Sequence, residues 1–496
     1  MACWEQGKRL VRKEIHRAKE SEMLSTSKTT QNLLPVVVTI TITLAIWLGS
    51  KWYFNDWFEN PFKYPAKVAS LAATVLLCWC VLLSTRNNVL EKYFCGLDKV
   101  YQIHKRLGKT AFWLIILHPL FLALDRLPDL IAFLQRLWFI APHGDRYTIG
   151  HNLGLTALLF MIALLVPTLW IKIPYHRWKK THEWFGALLV LVMVHILVVN
   201  RDVAAYPLLR YWVYGLLSLA LLSFLYIRFL YRFIGPRYRY RIAEIERVRD
   251  VLEISFDPVG EKMSFRPSQF VYLVIHKPGI TTEPHPYSIA CGYNLASRFK
   301  LGIKQTGDHT RSLDLLEPGD EVTVYGPYGH FSDRFLADDR DCVFIGGGIG
   351  ITPFLGMWHV ALNSGERPIA PDKETSMIAL HPEISQNWKS PNVALFYLVP
   401  TQDQASFDND IRNEVILSHF HGFPAFEERG HHYELYEDVR QGFITADYID
   451  SRVKGGVRNK NIFLCGPSPM VTGLIRQFKK MGISKDQIII EDFNLL

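Results

Sequence analysis

The chain has 496 residues, enough for two or three domains, and 49% of them are hydrophobic. Its net charge of +8 would suit anionic phospholipid or nucleic acid, but we find no aromatic-interleaved basic stretch or nucleic-acid motif, which argues against nucleic-acid binding. Most apolar residues lie before about residue 232, and the second half has the composition of a soluble α/β protein.

The first 32 residues are polar and basic. They lack the apolar core of a cleavable signal, so we expect a cytoplasmic arm on the inner face of a membrane.

Six apolar segments follow, each long enough to cross a bilayer, which takes roughly 20 residues. Their expected positions are about 33–50, 66–84, 108–124, 150–171, 184–200 and 208–230. The N-terminal arm, the second and fourth connections and the stretch after the sixth segment are basic, whereas the opposite loops balance cations with carboxylates. The positive-inside rule therefore predicts a six-pass protein of the plasma membrane or bacterial inner membrane, with both termini in the cytoplasm.

The cysteines give no sign of a structural disulfide, because no predicted outer loop contains one. Cys78 and Cys80 have the wrong spacing for a redox CxxC pair and lie in a spanning segment. We interpret them as small apolar fillers.

Histidines recur on two of the spanning segments. The third carries His104 and His118, and the fifth carries His182 and His195. The spacings of fourteen and thirteen residues correspond to about 21 and 19.5 Å along a helix, so His104 matches His182 in depth and His118 matches His195. Two imidazoles that face each other across a bundle suit the two axial positions of a haem iron. Thirteen residues fall about 140° short of the same helix face, so the fifth segment must bend or the haems must be rotated relative to each other.

The competing interpretation is four unrelated histidines at interfaces or in polar networks. A single zinc or iron ion fits less well, because ligands so far apart cannot share one ion. His143, His151 and His176 lie at predicted loops or segment ends, where solvated or interfacial packing is expected.

Short alternating stretches with turns between about 237 and 335 predict a small antiparallel β-barrel. Within it, "HPYSIA" has the pattern of a strand that lines a flavin, with Tyr287 against the ring and the Ser288 hydroxyl near the reactive nitrogen N5. In "GDHTRSL", Gly307 turns the chain and the next helix start offers N–H groups to a pyrophosphate. A plain strand followed by a capped helix would give the same pattern.

The stretch "DCVFIGGGIGITPF" predicts a buried strand, a glycine turn and a helix. Its glycines would let the backbone approach a phosphate closely. Ile351 stands where the third glycine of a GxGxxG fingerprint belongs, so a plain tight turn is the alternative. The later strands "VALFYLV" and "KNIFLCGPSPM" complete the alternation of a doubly wound domain, which binds ligands at the carboxyl ends of its strands.

The paired histidines are followed along the chain by a fixed series of short motifs. In order, these are "HPYS", "GDHT", "GPYG", "GGGIGITP", "LCGP" and the terminal "EDF". In this order the chain resembles the membrane flavocytochrome b superfamily of NADPH oxidases and ferric reductases, and its compact form is similar to a bacterial NADPH oxidase-like member. After the basic arm over 1–32, the resemblance begins at about residue 33. It implies a six-helix haem domain over 33–232, an FAD-binding barrel over 237–335 and a ferredoxin–NADP reductase-like NAD(P)H domain over 336–496. It implies electron transfer from cytoplasmic NAD(P)H through FAD and two b-type haems to an acceptor on the outer side.

The resemblance also implies roles for single residues. The haem iron ligands would be His104, His118, His182 and His195, and the catalytic residues would be Ser288, Cys465 and Phe493. Cofactor contacts would come from His285, Pro286, Tyr287, Ser288, Ile289, Gly307, Thr310, Arg311, Gly346, Gly347, Gly348, Gly350, Thr352, Pro353, Cys465, Gly466 and Pro467.

Two features of the reaction stay open at this level. We favour dioxygen as the acceptor, giving superoxide, because the outer loops show no acidic or His/Cys cluster to gather ferric complexes; a ferric chelate is the alternative. Arg146 and His151 could stabilise a nascent anion, although interfacial polar residues would look the same. Asp403 would repel a 2′-phosphate, which favours NADH at least as much as NADPH unless a distant lysine or arginine reads that phosphate.

Two other classes of protein compete with this interpretation. A flavin reductase with a passive membrane anchor would bind no haem. A transporter would need charged or Gly/Pro-broken helices at the membrane midplane, and these are scarce here.

Overall fold

The computed structural model describes residues 33–140, 145–170, 175–199, 201–291, 298–363, 391–400, 404–407, 410–411 and 444–491. The N-terminal arm, His143, Asp403 and Phe493 lie outside these residues, as does the side chain of His176. The chain forms two compact units whose main boundary lies between Phe233 and Ile234. The finer division into four domains stays a prediction.

The first unit consists of helices joined by turns and short connections in the residues that the structure describes. Its elements are α1 (Leu34–Tyr53), α2 (Lys63–Leu83), α3 (Asn88–Phe94), α4 (Leu97–Leu124), α5 (Leu130–Arg136), α6 (Arg146–Trp170), α7 (Tyr175–Glu183), α8 (Phe185–Val199), α9 (Arg201–Ala205), α10 (Pro207–Leu225), a π-helical turn (Tyr226–Leu230) and α11 (Tyr231–Ile234).

Six helical spans in these residues are long and apolar enough to cross a membrane, which confirms the predicted number. The third is longer than predicted, because α4 begins at Leu97 rather than near residue 108. One face of this first part of α4 is buried, and its apolar residues are Leu97, Val100, Ile103 and Leu107. The charged residues between them lower the average hydropathy, so the amphipathic turns escape a search for continuous apolar sequence.

The fifth span is interrupted at Trp184, between α7 and α8. This break separates His182 on α7 from His195 on α8. It agrees with a local bend, which is one of the two alternatives that the thirteen-residue spacing left open.

The first part of the second unit is a curled antiparallel sheet. Its strands are β1 (Arg237–Val248), β2 (Val251–Pro258), β3 (Phe270–Ile275), β4 (His285–Ser288), β5 (Phe299–Lys304) and β6 (Glu321–Tyr328), with the short helices α12 (Asp308–Ser312) and α13 (Asp333–Ala337). The spatial order is β4-β3-β6-β1-β2-β5. A bridge between Ile289 and Leu301 joins the two edge strands, so the sheet curls around its apolar core.

The rest of the unit is an α/β layer with a four-stranded parallel sheet. Its elements are β7 (Cys342–Gly347), α14 (Thr352–Asn363), β8 (Val393–Leu398), α15 (Ala446–Arg452), β9 (Asn461–Cys465), α16 (Ser468–Lys480) and β10 (Ile488–Glu491). The order β10-β9-β7-β8 places β7 and β9 side by side, both buried along their whole length. The predicted class of helical bundle, antiparallel sheet and α/β domain is confirmed.

A buried carboxylate joins the curled sheet to the α/β layer. Glu253 on β2 accepts a hydrogen bond from the Phe407 N–H at 2.8 Å. Lys300 on β5 lies 3.5 Å from Glu253 and 2.8 Å from Asp410. Burial raises the pKa of Glu253, against the opposite effects of the Phe407 N–H and Lys300. The contact holds Phe407 against the curled sheet.

Candidate functional site

The first pair of predicted ligands is close together in the helical unit. The ring centres of His104 on α4 and His182 on α7 are 6.0 Å apart. Imidazole nitrogens bind transition metals at about 2.0–2.1 Å, so an ion held between two opposed rings would keep their centres roughly 6 Å apart. The observed separation therefore fits one metal ion shared by both residues.

Backbone carbonyls hold three of the four histidines by their Nδ1 atoms. His104 is 2.9 Å from the Cys80 carbonyl, His118 is 2.9 Å from that of Ala66, and His195 is 2.8 Å from that of Gly150. A carbonyl only accepts, so each Nδ1–H donates and each Nε2 keeps its lone pair for a metal. Such contacts fix the tautomer and the ring orientation of metal-bound histidines.

The contact of His104 with α2 runs in both directions. The Cys80 carbonyl lies near the end of α2, where the last carbonyls have no partner within the helix. The Cys80 thiol in turn lies 3.6 Å from the His104 carbonyl. Cys78 and Cys80 are both buried, as apolar fillers would be, but Cys80 also orients a predicted ligand.

Two glycines on α6 let His195 approach its acceptor. An added Cβ on Gly154 would lie 2.5 Å from His195 Cε1, and one on Gly150 would overlap Val199. Gly150 and Gly154 form a GxxxG pattern, which lets two membrane helices pack closely. The sequence analysis missed this pair, although the pattern was visible in "GHNLG".

The ligand set thus fits the haem groups that the sequence predicted. His118 on α4 and His195 on α8 are each held by a backbone carbonyl of another helix, α2 for His118 and α6 for His195. In the part of the chain that the structure describes, no three His, Cys, Asp or Glu side chains converge on one point. Pairs of imidazoles, rather than a multidentate ion site, are the metal-binding chemistry that this unit offers.

The predicted flavin strand forms β4, antiparallel to β3. Ser288 is buried at its end, next to Ile289, while Pro286 is exposed. Burial raises the pKa of the Tyr287 hydroxyl, which has no hydrogen-bond partner among the described residues. A buried polar group without a partner costs free energy, so this hydroxyl fits a site that a polar ligand completes.

Two histidines stack beside this strand. The rings of His285 and His309 are 3.6 Å apart at their centres and inclined by 19°. Burial lowers the pKa of His309, against the opposite effect of Glu283, and its Nδ1 lies 2.9 Å from the Thr281 hydroxyl. The stack brings the "HPYS" and "GDHT" motifs together, which supports a single site formed by both.

A threonine side chain of α12 hydrogen-bonds the backbone of the turn that precedes this helix. The Thr310 hydroxyl accepts from the N–H groups of Thr306 and Gly307, each at 3.0 Å. The Gly307 N–H is therefore used locally, and α12 has only five residues. Arg311 is exposed on this helix and is the cation of the motif.

The glycine turns at the ends of β7 and β9 pack against each other. A Cβ on Gly350 would lie 2.6 Å from the Cys465 carbonyl, and one on Gly347 would lie 2.7 Å from Met470 Sδ. A Cβ on Gly466 would lie 3.0 Å from the Gly347 Cα. These three glycines are required by packing between turns, whereas the sequence analysis assigned glycines here to phosphate approach.

Gly348 is different. Its φ is +54° and an added Cβ would meet nothing within 4 Å, so it leaves open space at the carboxyl edge of the sheet. Gly346 pairs with Cys465 across the sheet, which brings the two motifs together at this edge. This is the edge at which such sheets bind nucleotides.

Three of the remaining predicted cofactor contacts are buried. Cys465 is fully buried in the core, and Thr352 and Pro353 are buried at the start of α14. The Thr352 hydroxyl donates to the Ile349 carbonyl at 3.0 Å. Pro467 is exposed next to Gly466, and Phe493 lies beyond the described residues.

His151 and Arg146, the polar residues in the first turns of α6, give no separate site among the described residues. His151 Nε2 lies 2.9 Å from the Trp138 carbonyl, and its ring stacks on Tyr147. Arg146 begins α6. These contacts match the interfacial role that the sequence offered as the alternative.

Comparisons with known proteins agree with both units. Residues 69–193 match the family model of the ferric reductase-like transmembrane component. The reductase component of propane 2-monooxygenase from Mycolicibacterium smegmatis is 26% identical over 263 residues, which are 51% of this chain and 67% of that protein. The electron transfer subunit of a probable dihydroorotate dehydrogenase B (NAD(+)) from Thermococcus kodakarensis is 32% identical over 115 residues, or 23% of this chain and 44% of that protein.

Among solved structures, a flavohemoglobin from Malassezia yamatoensis with bound FAD and haem aligns with a TM-score of 0.43 and 17% identity, over 79% of this chain and 98% of that one. The chain spans two thirds or less of the length of most curated relatives that it matches.

The chain is therefore an integral membrane oxidoreductase. Over residues 69–193 it is similar to the ferric reductase-like transmembrane component, and over 51% of its length it is similar to reductase components of known oxidoreductases. This combination is consistent with a membrane flavocytochrome of the ferric reductase and NADPH oxidase type.

Proposed function

We propose that this protein carries electrons from cytoplasmic NAD(P)H through FAD and two bis-histidine b-type haems to an acceptor on the outer side of the membrane. The inner haem is held by His104 and His182, and the outer haem by His118 and His195. The observation that carries the proposal is the His104–His182 pair, with ring centres 6.0 Å apart and His104 fixed by the Cys80 carbonyl.

The cofactors supply the electron chemistry, because a flavin takes a hydride as two electrons and a haem accepts single electrons. The chain supplies position and environment. Tyr287 and Ser288 lie at the strand that binds the flavin, and Gly348 leaves the opening for the nucleotide at the sheet edge. Cys465 and Phe493 complete the catalytic set that the resemblance implies.

We propose dioxygen as the acceptor, with superoxide as the product. A haem with two histidine ligands has no open iron position, so the acceptor must take its electron at the haem edge. In the first unit, the carboxylates Asp56 and Asp202 are paired with lysines, which leaves them unsuited to gather ferric ions. Ferric-chelate reduction is the alternative function.

The test of the haem assignment is the haem content of the full chain, purified in detergent. Pyridine haemochrome analysis should give two haems per chain, and His104→Leu or His182→Leu should lose one or both. His151→Leu is the matched control, since this histidine lies outside both pairs, and it should keep two. Full haem content in the His104 and His182 variants would contradict the proposal.

The acceptor is tested with the haem-loaded protein and NADH or NADPH. Superoxide dismutase should block most of the reduction of cytochrome c if dioxygen is the acceptor. If dismutase does not inhibit the reduction of cytochrome c, and if ferric chelates are reduced rapidly, the alternative function is favoured.

A further inference from the structure

A buried group of charges lies at the ends of three helices of the first unit. Asp202 on α9 is 2% exposed and its carboxylate contacts two lysines, Lys51 on α1 at 3.4 Å and Lys67 on α2 at 3.5 Å. The Trp47 indole N–H donates to the same carboxylate at 2.9 Å. A buried carboxylate needs this many donors, because desolvation is otherwise too costly.

A second carboxylate completes the group. Lys51 is fully buried and also lies 3.4 Å from Asp56. Its ammonium is 3.7 Å from the centre of the Phe58 ring. Asp56 accepts a hydrogen bond from the Tyr206 hydroxyl at 2.6 Å. The outer ion cluster, defined as Lys51, Asp56, Lys67 and Asp202, therefore contains two positive and two negative charges.

Lys67 is the member of the outer ion cluster next to the second histidine pair. It follows Ala66, whose carbonyl holds His118 at 2.9 Å. Ala66 and Lys67 are consecutive residues of α2, so Lys67 belongs to the same helical turn as the carbonyl that holds His118. Asp202, which holds Lys67, lies just after the end of α8, the helix that carries His195.

The inner pair is much farther away. Along α4, His104 is fourteen residues from His118, or about 21 Å. Charges in a site of low dielectric act strongly at short range and fall off with distance. The outer ion cluster is thus placed to act on one haem and not on the other.

We propose that Lys67, held in place by its ion pair with Asp202, raises the reduction potential of the outer haem, which makes electron transfer from the inner haem favourable. The inference rests on the proposed function, because it requires a haem between His118 and His195. Reduction adds one electron and so one negative charge, without forming or breaking a bond at these residues. The positive charge of Lys67 stabilises the reduced form of the outer haem. The negative charge of Asp202 opposes this effect, since it keeps the net charge of the outer ion cluster at zero.

The two partners make opposite predictions. Lys67→Met leaves the outer ion cluster with a net charge of −1, so the outer haem should become harder to reduce. Asp202→Asn leaves +1, so the outer haem should become easier to reduce, while the asparagine oxygen still accepts from Trp47. Lys67→Arg keeps the charge and should restore the wild-type potential. A role that is only structural would move both haems, or would move the outer haem in the same direction in both variants.

The experiment is a spectroelectrochemical titration of the full haem-loaded chain in detergent, followed by visible absorbance. The outer component is the one that His118→Leu removes. We expect the equilibrium constant for its reduction to fall at least tenfold in Lys67→Met, which is about 59 mV for one electron, and to rise in Asp202→Asn. The inner component should stay unchanged.

Shifts of the same sign in both variants, or no shift in either, would overturn the inference while the two haems uphold the proposed function. A wild-type chain that binds no haem would overturn both. If Lys67→Met does not assemble, the sign of the shift in Asp202→Asn decides, because that substitution preserves side-chain shape.

Discussion

Replacing Gly154 with alanine tests the way α6 positions His195. The new Cβ would lie 2.5 Å from His195 Cε1 and 2.8 Å from its Nδ1. Ordinary carbon contacts begin near 3.4 Å, so the ring must retreat by roughly 0.9 Å. That displacement breaks the 2.8 Å hydrogen bond from Nδ1 to the Gly150 carbonyl.

The lost hydrogen bond alone is worth about 0.5–1.5 kcal/mol, or roughly a factor of two to ten in affinity. Loss of a contact that orients a metal ligand typically costs about 10–100-fold, because the lone pair no longer points at the metal. We therefore expect Gly154→Ala to lose close to one of the two haems during purification.

Pyridine haemochrome analysis measures this loss. Gly215→Ala is the matched control, since a Cβ on Gly215 of α10 would meet nothing within 4 Å. It should keep both haems. Two haems in Gly154→Ala with unchanged spectra, or an equal loss in the control, would refute the reasoning.

Three further predictions concern the second unit. Ser288→Ala should slow flavin reduction by NAD(P)H more than it weakens FAD binding, and stopped-flow rates equal to wild type would count against a role near N5. Because burial raises the pKa of Glu253, its contribution to stability is present at low pH and is lost as the pH rises above the ordinary value of 4.5. Glu253→Gln should thus lower the pH dependence of Tm above pH 4.5, whereas the exposed control Glu244→Gln should leave it unchanged; equal behaviour would contradict this. NADH should serve at least as well as NADPH if Asp403 reads the ribose, and a preference for NADPH above about tenfold in kcat/KM, or 1.4 kcal/mol, would show that another cation binds the 2′-phosphate.

The sequence alone determined the number of membrane spans and the class of both halves, and it predicted four histidines as metal ligands. These features depend on local periodicity and composition, because a bilayer demands about 20 apolar residues and intramembrane histidines are costly. The order of the motifs along the chain then assigned the flavin and nucleotide parts. The start of α4 shows the limit of prediction from hydropathy. Charged residues alternate there with the apolar residues of the buried face, so the average hydropathy of this part is low.

Only the tertiary structure decided what surrounds those residues. The carbonyl partners of His104, His118 and His195 lie 24, 52 and 45 positions away in the chain. The contact of Gly350 with the Cys465 carbonyl likewise joins separate turns. The outer ion cluster comes from three helices and the connection between α1 and α2, and its charges look like ordinary loop residues in sequence. Backbone carbonyls and close approaches carry no signature of their own residue type, so their partners emerge only when helices and strands pack.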